Sequence, residues 1–167
     1  MNNKTKRIVY SAMIAAIYAL GTLLLAPISF GPIQARVSEV MVLLAYFDPF
    51  YIIGLTLGCF IANILGSTFV DAIIGSFATL ISVIMIYQTS KLKIQSEKIK
   101  LFISSLWPVI FNGAIIGWML IEFGTETKTI HAMIIAGMEV ACGEFAVVSI
   151  LGVILAYKLK DRIRKLL

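Results

Sequence analysis

Charge is scarce in this 167-residue chain: Asp, Glu, Lys and Arg together make up 14% of it, and histidine occurs once, at His131. A single imidazole leaves metalloenzyme chemistry poorly supplied, and no His-Glu-x-x-His helix is present to bind zinc. None of the 12 glycines is followed by lysine, so the chain has no phosphate-binding loop. The two cysteines, Cys59 and Cys142, fall in apolar stretches far from any Cys-x-x-Cys spacing and read as small packing residues. No nucleophile, base and orienting partner can be placed together, which argues against an enzyme, and no cofactor or metal is expected.

Hydrocarbon fills the rest. Hydrophobic residues reach 60% and the mean hydropathy is +0.98, far outside the soluble range. At ~18 to 25 apolar residues per crossing, candidate spans fall at 8–26, 34–48, 50–66, 69–90, 101–122 and 130–157. The expectation is an all-α integral membrane protein, a compact bundle of about six transmembrane helices forming one domain over 1–167. The second and third spans are short enough to tilt or bend, and five full crossings stay open as an alternative.

Orientation follows from the basic residues. Lys4, Lys6 and Arg7 precede the first span, Lys91, Lys93, Lys98 and Lys100 lie between the fourth and fifth, and Lys158, Lys160, Arg162, Arg164 and Lys165 follow the sixth. Six spans put all of these on one side, which the positive-inside rule makes the cytoplasm, with both termini there. The pI near 9.3 is then a topology signal, and no nucleic-acid partner is expected. The apolar run of the first span exceeds a signal-peptide core and lacks a cleavage pattern, so it is expected to be retained. Pro27 to Pro32 and 122–129 read as external connections, with Thr129 an N-cap, and Asp48-Pro49 as a tight cytoplasmic turn.

Against this apolar background, Gln34, Arg36, Glu39, Asn63, Asp71, Asn112, Glu139 and Glu144 lie within or at the mouths of spans. An ionised group in hydrocarbon costs several kcal/mol, so it is kept where it faces protein, water or solute. At ~1.5 Å per residue, Asp71 lies roughly 3 Å below the outer surface, Asn63 about 5 Å, Trp118 about 6 Å, Glu39 about 9 Å, Glu139 about 13 Å and Asn112 about 15 Å. Glu144, at about 21 Å, is the deepest. The cluster is thus weighted toward the outside, as a pocket capturing solute from there requires. Arg36 and Glu39, three apart, can pair on a helix; a self-neutralising pair and direct ligand contact are both open. Glu139 and Glu144 are about 140° apart around a helix and need not share a pocket. Trp118 is placed to stack on a planar solute.

Small residues recur at helical spacing, which in a membrane permits close helix approach. Gly54, Gly58 and Ala62, Gly113 and Gly117, and Gly137 and Ala141 read as internal packing stripes. Ala12, Ala16 and Ala19, with Ala15 beside them, form a stripe that can face a partner chain.

The order of motifs carries a resemblance. The run Gln34-Ala35-Arg36-Val37-Ser38-Glu39, then Cys59 to Asn63, Asp71 followed by Gly75 to Leu80, Pro108 with Asn112 and Gly117, and Gly143-Glu144 with Gly152 resembles the QueT family from about residue 8 to 157. Members look like substrate-binding S components of energy-coupling-factor transporters, associated with import of queuosine precursors, which are 7-deazaguanine compounds. The resemblance implies that Ala12-x-x-x-Ala16 and Ala15-x-x-x-Ala19 dock on a transmembrane coupling subunit driven by two cytoplasmic ATPase subunits. The expected solute site is drawn from the polar groups of the spans, Gln34, Arg36, Glu39, Asn63, Asp71, Asn112, Glu139 and Glu144, with Trp118, and the family-like Gly143-Glu144 pair favours Glu144 while depth favours Glu139. An S component for another small nutrient and a non-transporting structural or assembly membrane protein are the alternatives.

Overall fold

The computed structural model describes residues 3–31, 34–124 and 128–166. Among them every regular element is helical. Helix α1 spans Asn3–Leu24 and is followed by the single turn α2, Ala26–Ser29, which opens on Pro27. A 3-10 helix, Val37–Tyr46, leads into α3, Tyr51–Gly66, and α4, Phe69–Ser90. Helix α5 runs over Glu97–Phe123 and α6 over Ile130–Glu144; a π-helical stretch, Phe145–Gly152, joins α6 to α7, Val153–Leu166.

Local chemistry sets the ends. Thr68, Ser96 and Thr129 each accept a bond from the backbone N–H three residues on, at 3.1, 3.5 and 3.2 Å, satisfying orphan donors of α4, α5 and α6. Asp48 Oδ1 accepts from Phe50 N at 2.8 Å and Oδ2 meets Arg7 at 3.0 Å, which fixes the expected turn. Pro32 and residues 125–127, which belong to the two expected external connections, lie outside the described residues.

Among the described residues four helices are long and apolar enough to cross a membrane: Lys4–Leu24, Phe69–Ser90, Glu97–Phe123 and the continuous rod Ile130–Lys165. The other two expected spans are the shorter apolar helices Val37–Tyr46 and Tyr51–Gly66. The first of these is wound as a 3-10 helix. Its ten residues reach about 20 Å and the 16 of α3 about 24 Å, both less than the ~30 Å hydrocarbon thickness. The sixth span runs on past residue 157, so that its basic end stands clear of the apolar zone.

The helices form a closed ring. Helix α1 packs on α3, α3 on α4, α4 on α5 and α5 on α6; the 3-10 helix contacts α1, α4 and the π-helical stretch, closing the circle. Glycines set two of the seams. A Cβ on Gly58 would lie 2.9 Å from the Ala15 carbonyl oxygen, and one on Gly117 would come closer still to the Gly137 Cα, so only hydrogen fits at either contact. The alanine stripe of α1 is split by this packing. Ala15 and Ala19 are buried against the bundle, whereas Ala12 and Ala16 stay exposed beside Met13, Ile17 and Leu20. Of the four alanines expected to face a partner, two are thus exposed and two are buried within the bundle.

Candidate functional site

Polar side chains are buried inside the ring in three groups. The first is centred on Arg36, which is 5% exposed. Its Nη2 donates to Gln34 Oε1 at 3.1 Å and to Asp71 Oδ2 at 3.5 Å, its Nε to the Ser29 carbonyl at 3.4 Å, and the guanidinium lies 5.4 Å from the Phe30 ring centre. Gln34 reaches this position through a left-handed backbone with φ of 47°, the only positive φ at a non-glycine among the described residues. Such strain costs on the order of 1–3 kcal/mol and persists where the surroundings enforce it. Asp71 sits in the first turn of α4, where the helix dipole favours its negative charge.

The Arg36–Glu39 pair expected from their spacing is replaced by Arg36–Asp71. Arg36 precedes the 3-10 helix with an extended backbone, so the helical spacing rule does not apply across it. The freed Glu39 accepts a hydrogen bond from the Tyr18 hydroxyl on α1; both are fully buried. Thr22 and Ser38 tie the same two elements one turn away at 2.6 Å.

Cys59 is buried beneath Arg36, where Arg36 Nη1, Asn63 Nδ2 and Thr79 Oγ1 approach its sulfur at 3.8, 3.5 and 3.3 Å. It is a polar junction rather than a packing residue. Cys142, also expected to pack, is exposed. Asn63 additionally donates to the Asp71 carbonyl at 3.2 Å.

In the third group Asn112 Nδ2 on α5 donates to Glu144 Oε1 at 2.6 Å across the α5–α6 seam. Glu144 ends α6 where the π-helical stretch begins; π-turns often accompany functional sites.

The satisfied bonds matter less than the unsatisfied atoms. Among the described residues the Ser29 and Ser76 hydroxyls and five amide or carboxyl oxygens, Glu39 Oε2, Asn63 Oδ1, Asp71 Oδ1, Asn112 Oδ1 and Glu144 Oε2, are buried without a hydrogen-bond partner. All five are acceptors, and each such orphan costs about 1–3 kcal/mol or more when charged. Gly75 leaves the space beside two of their side chains open, since a Cβ there would lie 2.8 Å from Asn63 Nδ2 and 2.9 Å from Asp71 Oδ1. A hollow of about 180 Å³ at the end of the bundle is lined by Gln34, Thr68, Asp71, Met119 and Phe123.

Seven of the nine residues expected at a site, Gln34, Arg36, Glu39, Asn63, Asp71, Asn112 and Glu144, are thus buried within the bundle. The other two are not. Trp118 is 44% exposed, packs edge-to-face on Phe123 at 5.9 Å and borders apolar hollows of about 500 and 480 Å³ on the outer faces of α5. Glu139 is exposed on α6. Depth alone points to both; their angular position turns them outward. Tyr18, Thr22 and Thr79 join the network as residues that sequence reasoning missed. Ser11, Ala15, Tyr18 and Thr22 are spaced four, three and four apart and are all buried. That helical stripe of small and polar residues is the signal that could have found Tyr18.

Apolar helices closed around half-satisfied acceptors are the architecture of a helical membrane bundle with a polar interior. The chain belongs to the QueT transporter family, which it matches over residues 8–161. It is 47% identical over 81 residues to the queuosine precursor transporter QueT of Lactococcus lactis subsp. cremoris strain MG1363. That alignment covers 47% of this chain and 48% of the relative, about half the length of each. No solved structure matches.

Proposed function

We propose that the chain is the solute-binding membrane subunit of an ATP-driven importer of the energy-coupling-factor type, capturing a 7-deazaguanine queuosine precursor from outside. The single observation that carries the reading is the set of five buried acceptors without partners. A guanine-like edge offers a ring N–H and an exocyclic amine as two parallel donors. Glu144 Oε2 and Asn112 Oδ1 are two such unpaired acceptors on side chains already bonded to each other. The relative's name supports the ligand class.

On this reading ATP hydrolysis resides in two cytoplasmic ATPase subunits linked through a transmembrane coupling subunit, and the lack of a Gly-Lys phosphate-binding loop in the chain agrees with that division of labour. The exposed pair Ala12 and Ala16 offers that subunit an apolar surface on α1, and the basic clusters favour a topology with both termini in the cytoplasm.

The test is calorimetric titration of the detergent-solubilised protein with 7-deazaguanine and with the same ring lacking the exocyclic amine. The full ring should bind in a one-to-one complex and the truncated ring about ten-fold or more weakly. Glu144→Gln should weaken the full ring by about 1–3 kcal/mol and narrow the gap between the two. Equal binding of both rings, or none of either, overturns the assignment.

A further inference from the structure

We infer that the basic end of the bundle holds the headgroup of an anionic phospholipid, in a hollow of about 340 Å³ lined by Tyr46, Ser90, Gln95, Glu97, Lys100 and Arg164. Four segments end together around it: the last turn of the 3-10 helix, the C-terminus of α4, the first residues of α5 and the far end of α7. Since α4, α5 and the rod ending in α7 are long and apolar enough to span a membrane, their shared ends lie where hydrocarbon gives way to headgroups.

The bonding here is the reverse of that in the interior, where acceptors lack donors. Lys100 Nζ donates to the Ser90 carbonyl at 3.0 Å and the Leu92 carbonyl at 3.4 Å, at the C-terminal end of α4, and keeps a third N–H. Among the described residues it meets no carboxylate. Glu97 is the one acid of the lining, and both its oxygens are taken, one by Lys160 at 3.0 Å and the other by Arg164. Arg164 spends only Nη2 on that contact, and the rest of its guanidinium fork stays available. Three cations, Lys100, Lys160 and Arg164, thus stand against one carboxylate, and two of them are steadied by aromatic rings, Lys100 at 5.6 Å from Tyr46 and Arg164 at 5.9 Å from Phe47. A phosphodiester, which brings a negative charge and acceptors only, complements this surplus of donors. The helices that supply the cations also carry an apolar surface for acyl chains: Ile99 and Phe102 of α5 and Leu155 and Leu159 of α7 are exposed. That surface favours a lipid over a soluble anion, and basic pockets between transmembrane helices commonly take anionic headgroups.

Native mass spectrometry of the full-length protein, titrated in detergent with dioleoyl-phosphatidylglycerol or dioleoyl-phosphatidylcholine, counts the lipids retained. One phosphatidylglycerol should be held at least about ten-fold more tightly than phosphatidylcholine. Arg164→Gln, and Gln95→Glu, which sets a carboxylate in the lining, should each lower that ratio several-fold. Lys93→Gln combined with Lys158→Gln removes two exposed basic residues outside the lining and should leave it standing. Lys100→Gln also unties the end of α4, so the first two variants decide the outcome. Equal retention of the two lipids overturns the inference. A ratio that falls as far in the Lys93 and Lys158 variant as in Arg164→Gln assigns the preference to diffuse surface charge and overturns the site. Excess inorganic phosphate should leave the bound lipid in place; its displacement would make the hollow a site for a soluble anion and overturn the assignment to lipid.

Discussion

Removing the Arg36 guanidinium should be among the most damaging single changes outside the apolar core, and the damage should be shared with Asp71. Among the described residues Arg36 is the only side-chain donor to Asp71 Oδ2, while Oδ1 has none. Arg36→Met therefore strands a buried carboxylate, a change that typically costs about 3–5 kcal/mol. Asp71→Asn keeps the shape and a carbonyl acceptor for Arg36 and should cost about 1–3 kcal/mol. In the double variant the stranded charge is gone. Its loss should fall short of the sum by about 1–3 kcal/mol, the range for residues in one network. Equilibrium unfolding in mixed micelles, run as a double-mutant cycle, measures the coupling. A second cycle through Arg36 and Glu39 provides the contrast. Those two make no ion pair, and Glu39 takes its bond from Tyr18. Simple additivity for Arg36 with Asp71, or a larger coupling for Arg36 with Glu39, would refute the assignment of partners.

Ala12→Leu or Ala16→Leu should lower uptake in cells while leaving solute binding to the isolated subunit intact, because both positions are exposed on α1; normal uptake by both variants would reject the partner face. Ala15→Leu, driven into α3, should instead reduce stability by about 1–3 kcal/mol in thermal denaturation. Gly58→Ala should destabilise by a similar amount, since its Cβ would lie 2.9 Å from the Ala15 carbonyl and the Tyr18 Cβ, whereas Gly21→Ala, whose nearest neighbour is Ser38 Cβ at 3.8 Å, should gain about 0.5–1 kcal/mol. Glu97 holds α7 through Lys160 at 3.0 Å and through Arg164. Such solvent-screened pairs are individually weak. Glu97→Gln should speed amide exchange over 160–166 several-fold without altering solute affinity, and unchanged exchange would show that the pairs hold nothing.

Composition made the helical membrane class legible, and the small-residue stripes of α3, α5 and α6 marked real seams. Burial of seven polar residues was legible too, because the cost of a polar group in hydrocarbon drives it to the bundle interior. Three things were not. Arg36 takes a partner 35 residues away over one three residues away, since the chain enters a 3-10 helix at that point and local spacing loses its meaning. Glu139 and Trp118 were placed by depth, a coordinate along the helix that says nothing about the direction around it. Tyr18, a tyrosine in an apolar span, reads as an interfacial anchor, although its partners lie wholly inside the bundle.

The ten-residue 3-10 helix acts as a strut between two fixed ends. Arg36 is pinned to Asp71 at one end and Asp48 to Arg7 at the other. Rewound as an α-helix, Val37–Tyr46 would shorten by about 5 Å, more than either ion pair could follow. At three residues per turn Glu39, Val42 and Ala45 share one line, and all three are buried. Removing a single residue would rotate whatever follows it by about 120° and pull one anchor free. The length of this segment is therefore under tighter control than its side-chain volume. Variation should accumulate here as apolar exchanges and almost never as insertions or deletions.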